Sequence, residues 1–168
     1  MSEAEYLALP DEKPGLELHD GVVIQKSMAN ADHRDLTGEF DYRFGGHTRT
    51  FGGHYGPDSR VRLRTARRLL PDTGYWAPGV PSGDDSTPTV AVEVRSPDES
   101  MESQRQKCRM YREHGVLVAW LVDPGTRTVE VFEGDRDGVV FRVGDTLITP
   151  EMPGFSLPLT ELFAVLDR

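Results

Sequence analysis

Residues 89–122 constrain the fold more than any other part of the chain. Residues 89–95 read TVAVEVR, a strand by their β-branched content. Ser96-Pro97-Asp98 opens a helix that reaches His114 and stops at Gly115, the position just past a helix that favours glycine. Residues 116–122 read VLVAWLV, apolar throughout, the pattern of a strand covered on both faces. A strand, a long helix and a buried strand in that order make a right-handed crossover. The spacing therefore predicts that 90–94 and 116–122 lie parallel in one sheet.

The flanking segments add elements to this unit. Leu16–Leu18 and Val22–Ile24 flank His19-Asp20-Gly21 and read as a hairpin with a D-G turn. Asn30 can cap a helix in which Leu36, Phe40 and Phe44 recur at steps of four, a single buried stripe ending at Gly45-Gly46. The five glycines between 45 and 56 predict a loop or irregular hairpin there. Arg60–Arg64 alternates as a strand does, a short polar turn follows at Thr65–Arg68, and Leu69–Trp76 is a second extended run. Residues 77–88 are a Gly/Pro/Ser/Asp surface loop, too short to separate two domains. Beyond the crossover, turns at 123–126 and 134–138 bound strands at 129–132 and 139–143, and 157–166 carries helical spacing. The expectation is one α/β domain over residues 1–168. Its core runs helix, three mostly antiparallel strands, helix, strand, with a β-hairpin before and another after it.

Charge narrows the partners. The 168 residues carry 19 basic and 28 acidic groups, a net −9 that argues against nucleic-acid binding through net charge alone. Five of the basic groups, Arg60, Arg62, Arg64, Arg67 and Arg68, fall within nine residues that hold no acid, so an acidic body bears one basic strip. Such a strip can steer a polyanion to one place, or it can be a solvated hairpin rich in arginine. No stretch approaches the roughly 20 apolar residues of a membrane helix, and the first residues lack the basic region of a signal peptide. The single cysteine, Cys108, precludes an internal disulfide and fits a reducing, cytoplasmic setting.

Two acids stand where acids are costly. Asp72 lies within the extended run Leu69–Trp76, and Glu93 within the apolar run VAVEV, 21 residues later. Carboxylates on neighbouring strands can share a hard cation such as Mg²⁺ or Mn²⁺, with a backbone carbonyl and waters completing the shell. Alternatively each pairs separately with a basic side chain. On the helix that follows, Ser100, Gln104, Lys107, Tyr111 and His114 share one face. If that face meets the sheet, Lys107 reaches the two carboxylates. An acid pair, a metal and a cation suit phosphodiester hydrolysis.

These motifs in this order resemble the PD-(D/E)XK nuclease superfamily, with its αβββαβ restriction-endonuclease-like core and mixed sheet. Within it the chain is most similar to the Uma-two-like restriction endonuclease family. The similarity runs through GLELHDGVVI, the His33 helix, LLPDTGYW, VAVEVRSPDES, KCRMYREHGV, AWLVDPGTRTVEVF and LTELF. The resemblance implies a Mg²⁺-dependent DNA endonuclease, acting as a homodimer because cutting two strands calls for two sites. It assigns Asp72 and Glu93 as metal ligands. Lys107 becomes the motif lysine, moved from the strand onto the next helix, with Glu17 and His33 as supporting groups. Two positions depart from the family pattern. Arg95 occupies the ordinary lysine position as a possible supporting charge that cannot act as a base, and Ser103 replaces an acid common on the helix.

The remaining candidates read as ordinary residues. His47 and His54 each follow Gly-Gly and are expected as exposed loop histidines, Cys108 as a packed thiol, and Pro57-Asp58 as a chance copy of Pro71-Asp72. Arg60, Arg62 and Arg64 are the expected nucleic-acid contacts. Two other functions stay open: a catalytically quiet relative that binds nucleic acid or protein, and a hydrolase of small phosphate esters. Acids sharing one metal's reach favour an enzyme, and acids diverging to separate partners favour the quiet relative.

Overall fold

The computed structural model describes residues 1–64 and 66–168, so Thr65 of the expected polar turn lies outside the described residues. The crossover forms as expected. Strand β7 (Val90–Val94) and strand β8 (Val118–Asp123) pair in parallel, Val90 opposite Val118, joined by helix α3 (Met101–Glu113). Ser100 caps α3 by accepting from the Ser103 N–H, and Gly115 takes φ 101° just beyond its end. Alternation along β7 and β8 sends Val92, Val94, Trp120 and Val122 to one core, while Ala91, Ala119 and Leu121 face α3. Both faces are covered, which is why 116–122 carries no polar residue.

The six-stranded sheet runs β10-β9-β8-β7-β6-β3, antiparallel except at β7–β8. Its remaining strands are β3 (His54–Pro57), β6 (Thr73–Trp76), β9 (Thr128–Glu133) and β10 (Arg136–Arg142). Helix α2 (Ala31–Phe51), capped by the Asn30 side chain, packs on the face opposite α3, and its Phe40 and Phe44 lie 6.0 and 6.4 Å from the Trp120 ring. Helix α4 (Leu159–Ala164) closes that core. A second sheet, β2-β1-β5-β4, joins the hairpin β1 (Leu16–His19) and β2 (Val22–Gln25) to β4 (Val61–Arg64) and β5 (Arg67–Leu69). Val61, Leu63 and Leu69 pack there with Ala91, Tyr111 and Val116, fixing this sheet against α3. A short helix α1 (Glu3–Leu7) and a two-residue ladder of β11 (Thr146–Leu147) with β12 (Leu157–Pro158) complete the chain. Among the described residues no helix is long and apolar enough to cross a membrane.

Several expectations need correction, beginning with α3, which opens at the Ser100 cap and not at Ser96-Pro97-Asp98. Helix α2 does not stop at Gly45-Gly46 but continues to Phe51. Each glycine costs a helix about 1 kcal/mol, yet the Tyr55 ring fills the space where a Cβ on Gly45 would sit, its hydroxyl 2.9 Å from that point. The extra turns also bury His47, which stacks on Phe51 at 4.7 Å and meets Tyr75 edge-on, so it is not an exposed loop residue. Next, the segment read as loop or irregular hairpin supplies β3, an edge strand of the main sheet. The arginine strand β4 belongs to the second sheet instead. Finally, Leu69–Trp76 is not one strand: the chain changes sheets at Leu70–Asp72, between β5 and β6.

Candidate active site

The sheet change at Leu70–Asp72 places Asp72 just before β6, at the open end of the main sheet. Thr73 pairs with Val92, so one more residue along the ladder sets Asp72 opposite Glu93. On the other side Pro57 pairs with Thr73, and Asp58, turning out just past β3, is linked to Asp72 by a shared Lys26. Three carboxylates thus form a row across β3, β6 and β7. A fourth, Glu17, arrives from the second sheet and accepts a hydrogen bond from the Leu70 N–H at 2.8 Å.

Two ammonium groups sit among these acids. Lys107 Nζ lies 2.7 Å from Glu17 Oε1 and 2.9 Å from Glu93 Oε1, on the buried face of α3. Lys26, in the segment just after β2, reaches Asp72 Oδ1 at 2.7 Å, the Leu70 carbonyl at 2.8 Å and Asp58 Oδ1 at 3.2 Å. Hydrogen bonds fix the carboxylates further. The Val94 N–H donates to Asp72 Oδ2 at 2.7 Å, His33 Nε2 lies 3.1 Å from the same oxygen, and the Tyr111 hydroxyl donates to Glu93 Oε1 at 2.7 Å. His19 Nε2 stands 3.0 Å from Glu17 Oε2.

The electrostatics follow from this crowding. Burial works to raise the Asp72 carboxyl, but Lys26 and His33 hold it well below the ordinary carboxylate range. Burial is likewise outweighed at Glu17, where Lys107 leads the groups that bring it down to about 2. Glu93 goes the other way. Burial, reinforced by the neighbouring Asp72 and Glu17 charges, prevails over Lys107 and pushes it up to about 7. Burial also opposes the charge of Lys107, yet the Glu17 and Glu93 carboxylates keep its ammonium well above the usual lysine value. Burial lowers His33, and its contact with Asp72 more than restores it.

The expected residues divide cleanly. Asp72, Glu93, Lys107, Glu17 and His33 come together. Arg95 does not: β7 ends at Val94, and the Arg95 side chain turns to Asp123 at 2.9 Å and to the Glu99 carbonyl. In the basic strip, Arg60 pairs with Asp84 at 3.3 Å, Arg62 with Glu3 at 3.3 Å, and Arg64 with Asp20 at 2.7 Å. Acids of the same chain therefore already meet its charge. Arg60 also lines an open cavity of about 310 Å³ beside Asp58, Leu70 and Lys13. Cys108 is fully buried, and burial raises its thiol well above the ordinary value, so it packs and does not react. His54 is exposed on β3, though in a strand. Asp58, expected as a chance copy of the motif, lies beside the cluster and shares Lys26 with Asp72.

Sequence reasoning missed Lys26, Asp58 and the Tyr111 hydroxyl. One signal was available. The chain has sixteen arginines and only three lysines, and all three lysines reach acids of this cluster, Lys13 lying 3.8 Å from Asp58.

The donor set suits a hard divalent ion. A carboxylate offers about four acceptor positions. Asp72 fills three of them, whereas Glu93 fills two on Oε1, and among the described residues its Oε2 accepts nothing. No group of three or more His, Cys, Asp and Glu side chains among the described residues could hold a metal by itself. That is compatible with Mg²⁺, which is typically bound through one or two carboxylates and keeps several waters.

The arrangement, a mixed sheet between two helices with acids at the end of its central strands, is that of a nuclease fold. A crystal structure described as a putative nuclease belonging to DUF820, from Anabaena variabilis, superposes with a TM-score of 0.88. It is 22% identical, and the alignment covers 99% of each chain. The chain belongs to the Uma2 family, described as putative restriction endonuclease, whose model matches residues 3–160. No curated protein matches it.

Proposed function

We propose that this chain is a divalent-metal-dependent DNA endonuclease of the PD-(D/E)XK type, using Mg²⁺ or Mn²⁺. The observation that carries the proposal is Lys107 Nζ at 2.9 Å from Glu93, in register with Asp72 on the adjoining strand. Asp72 and Glu93 would hold the ion through the positions their present partners leave open. When bound, such an ion polarises the phosphate and makes hydroxide available at neutral pH. The chain's own groups do the rest. Val94 N–H and His33 fix Asp72, while the Tyr111 hydroxyl engages Oε1 of Glu93 and leaves Oε2 open. Lys107 keeps its proton and supplies a fixed positive charge where negative charge builds on the phosphate. Phosphates can take over the exposed arginine pairs at small cost, because such pairs are worth roughly 0–1 kcal/mol.

One observation favours a quiet relative that binds without cutting: Asp72 and Glu93 each already have an internal ammonium partner. Incubation with supercoiled plasmid and with single-stranded DNA separates the two readings. The endonuclease reading expects cleavage in Mg²⁺ or Mn²⁺ that EDTA stops and that Asp72→Asn and Glu93→Gln abolish. Equal cleavage in EDTA, or full activity in either variant, would overturn it.

A further inference from the structure

We propose that Lys26 is a built-in cation, its ammonium group filling the place between Asp58 and Asp72 that a two-ion phosphodiesterase would give to a second divalent ion. The inference rests on the reading above, in which Asp72 and Glu93 carry one exchangeable ion.

The acid row has two gaps. Adjacent strands lie about 4.8 Å apart, so cations lodged in the Asp58–Asp72 and Asp72–Glu93 gaps would be neighbours, somewhat wider than the roughly 3.5–4 Å of two-metal sites. Asp72 would be the carboxylate common to both. In the first gap the three N–H groups of Lys26 meet three oxygens: Asp72 Oδ1 at 2.7 Å, the Leu70 carbonyl at 2.8 Å and Asp58 Oδ1 at 3.2 Å. Two carboxylates and a backbone carbonyl are the donors a hard divalent ion takes. Asp58 is held for this contact in a left-handed turn, φ 48°, directly after β3. The second gap is different, since Lys107 approaches it from Glu17 and leaves Glu93 Oε2 open.

The residue type fits the role. Arginine carries almost all positive charge on this chain, yet a planar guanidinium could not sit in the pocket formed by three converging oxygens. A compact ammonium can. Lys26 is also shielded, with a side chain only 12% exposed, so its charge is not screened by water as a surface lysine's is.

The test counts ions rather than cleavage. Calorimetric titration with Mn²⁺ should give one ion per wild-type chain and two per Lys26→Met chain. Adding Asp58→Asn to Lys26→Met should return the count to one. Lys26→Gln, a neutral variant that can still donate to the Leu70 carbonyl, carries the same measurement if Lys26→Met does not fold by circular dichroism. A count of one with unchanged affinity in the neutral variants overturns the built-in cation and leaves the endonuclease reading intact. A count of zero in wild type and variants overturns both.

Discussion

Lys107→Met tests how the buried charge cluster is held together. The substitution keeps the side chain's length and packing against α3's neighbours while removing the one cation shared by Glu17 and Glu93. Both acids are nearly inaccessible to water, and leaving a buried charge without its partner costs about 3–5 kcal/mol. The titration behaviour gives a second route to the magnitude. Glu17 falls from 4.5 to about 2 in the folded chain, with Lys107 foremost among the groups that lower it. At 1.36 kcal/mol per unit, that shift is worth about 3 kcal/mol. A depressed carboxylate stabilises the fold above its unfolded value and ceases to as pH falls through its folded value. The deficit of the variant should therefore be full at pH 7 and shrink between pH 4.5 and pH 2. Glu93 adds to it only above pH 7, where the wild-type group is ionised. In a chain of this size such a loss lowers the melting temperature by about 6–20 °C. Urea denaturation at pH 7, 5 and 3.5 measures the gap directly. The double variant Glu17→Gln/Lys107→Met should be more stable than Lys107→Met alone, because the stranded charge has gone. A Lys107→Met chain within about 1 kcal/mol of wild type at pH 7, or a double variant whose losses simply add, would refute the reasoning.

Two more outcomes follow from the geometry. Arg95→Ala should leave Mn²⁺ binding unchanged in calorimetry and cost only about 1 kcal/mol in urea denaturation, because its partner is Asp123 and not the acid row. Replacing Arg60, Arg62 and Arg64 with Ser should flatten the salt dependence of DNA binding, the slope falling by about one unit for each phosphate that no arginine meets any more. An unchanged slope would make the strip a partner only of Glu3, Asp20 and Asp84.

The legible and illegible parts of this chain differ in kind. The crossover was readable because its signals are local, β-branched runs and a glycine past the helix, although the helix opens at Ser100 and not at Ser96-Pro97-Asp98. Lys107 was readable because helical spacing alone puts it on the face with Tyr111. The arginine strand was not, since strict alternation says that one side is buried and says nothing about which sheet it joins. Gly45-Gly46 misled for a related reason. Helix propensity counts the missing side chain as a cost, while the Tyr55 ring uses the vacant space. Lys26 lay furthest out of reach, because its partners are 32 and 46 residues away and are brought to it by a strand register that no local pattern encodes.

What composition did hold was the choice between lysine and arginine. An E-x-K motif puts its cation two residues past the acid, on the same strand. Here β7 ends at Val94, the Arg95 N–H continues the ladder to the Val122 carbonyl, and the guanidinium swings to Asp123. Among the described residues, with His33 of α2 also beside Asp72, the ammonium groups of the acid row come instead from two elements: α3, packed on one face, and the segment following β2. Each delivers a lysine. In a chain with sixteen arginines, an ammonium at both of these positions marks where a small, deep charge is required and a broad, forked one would not fit.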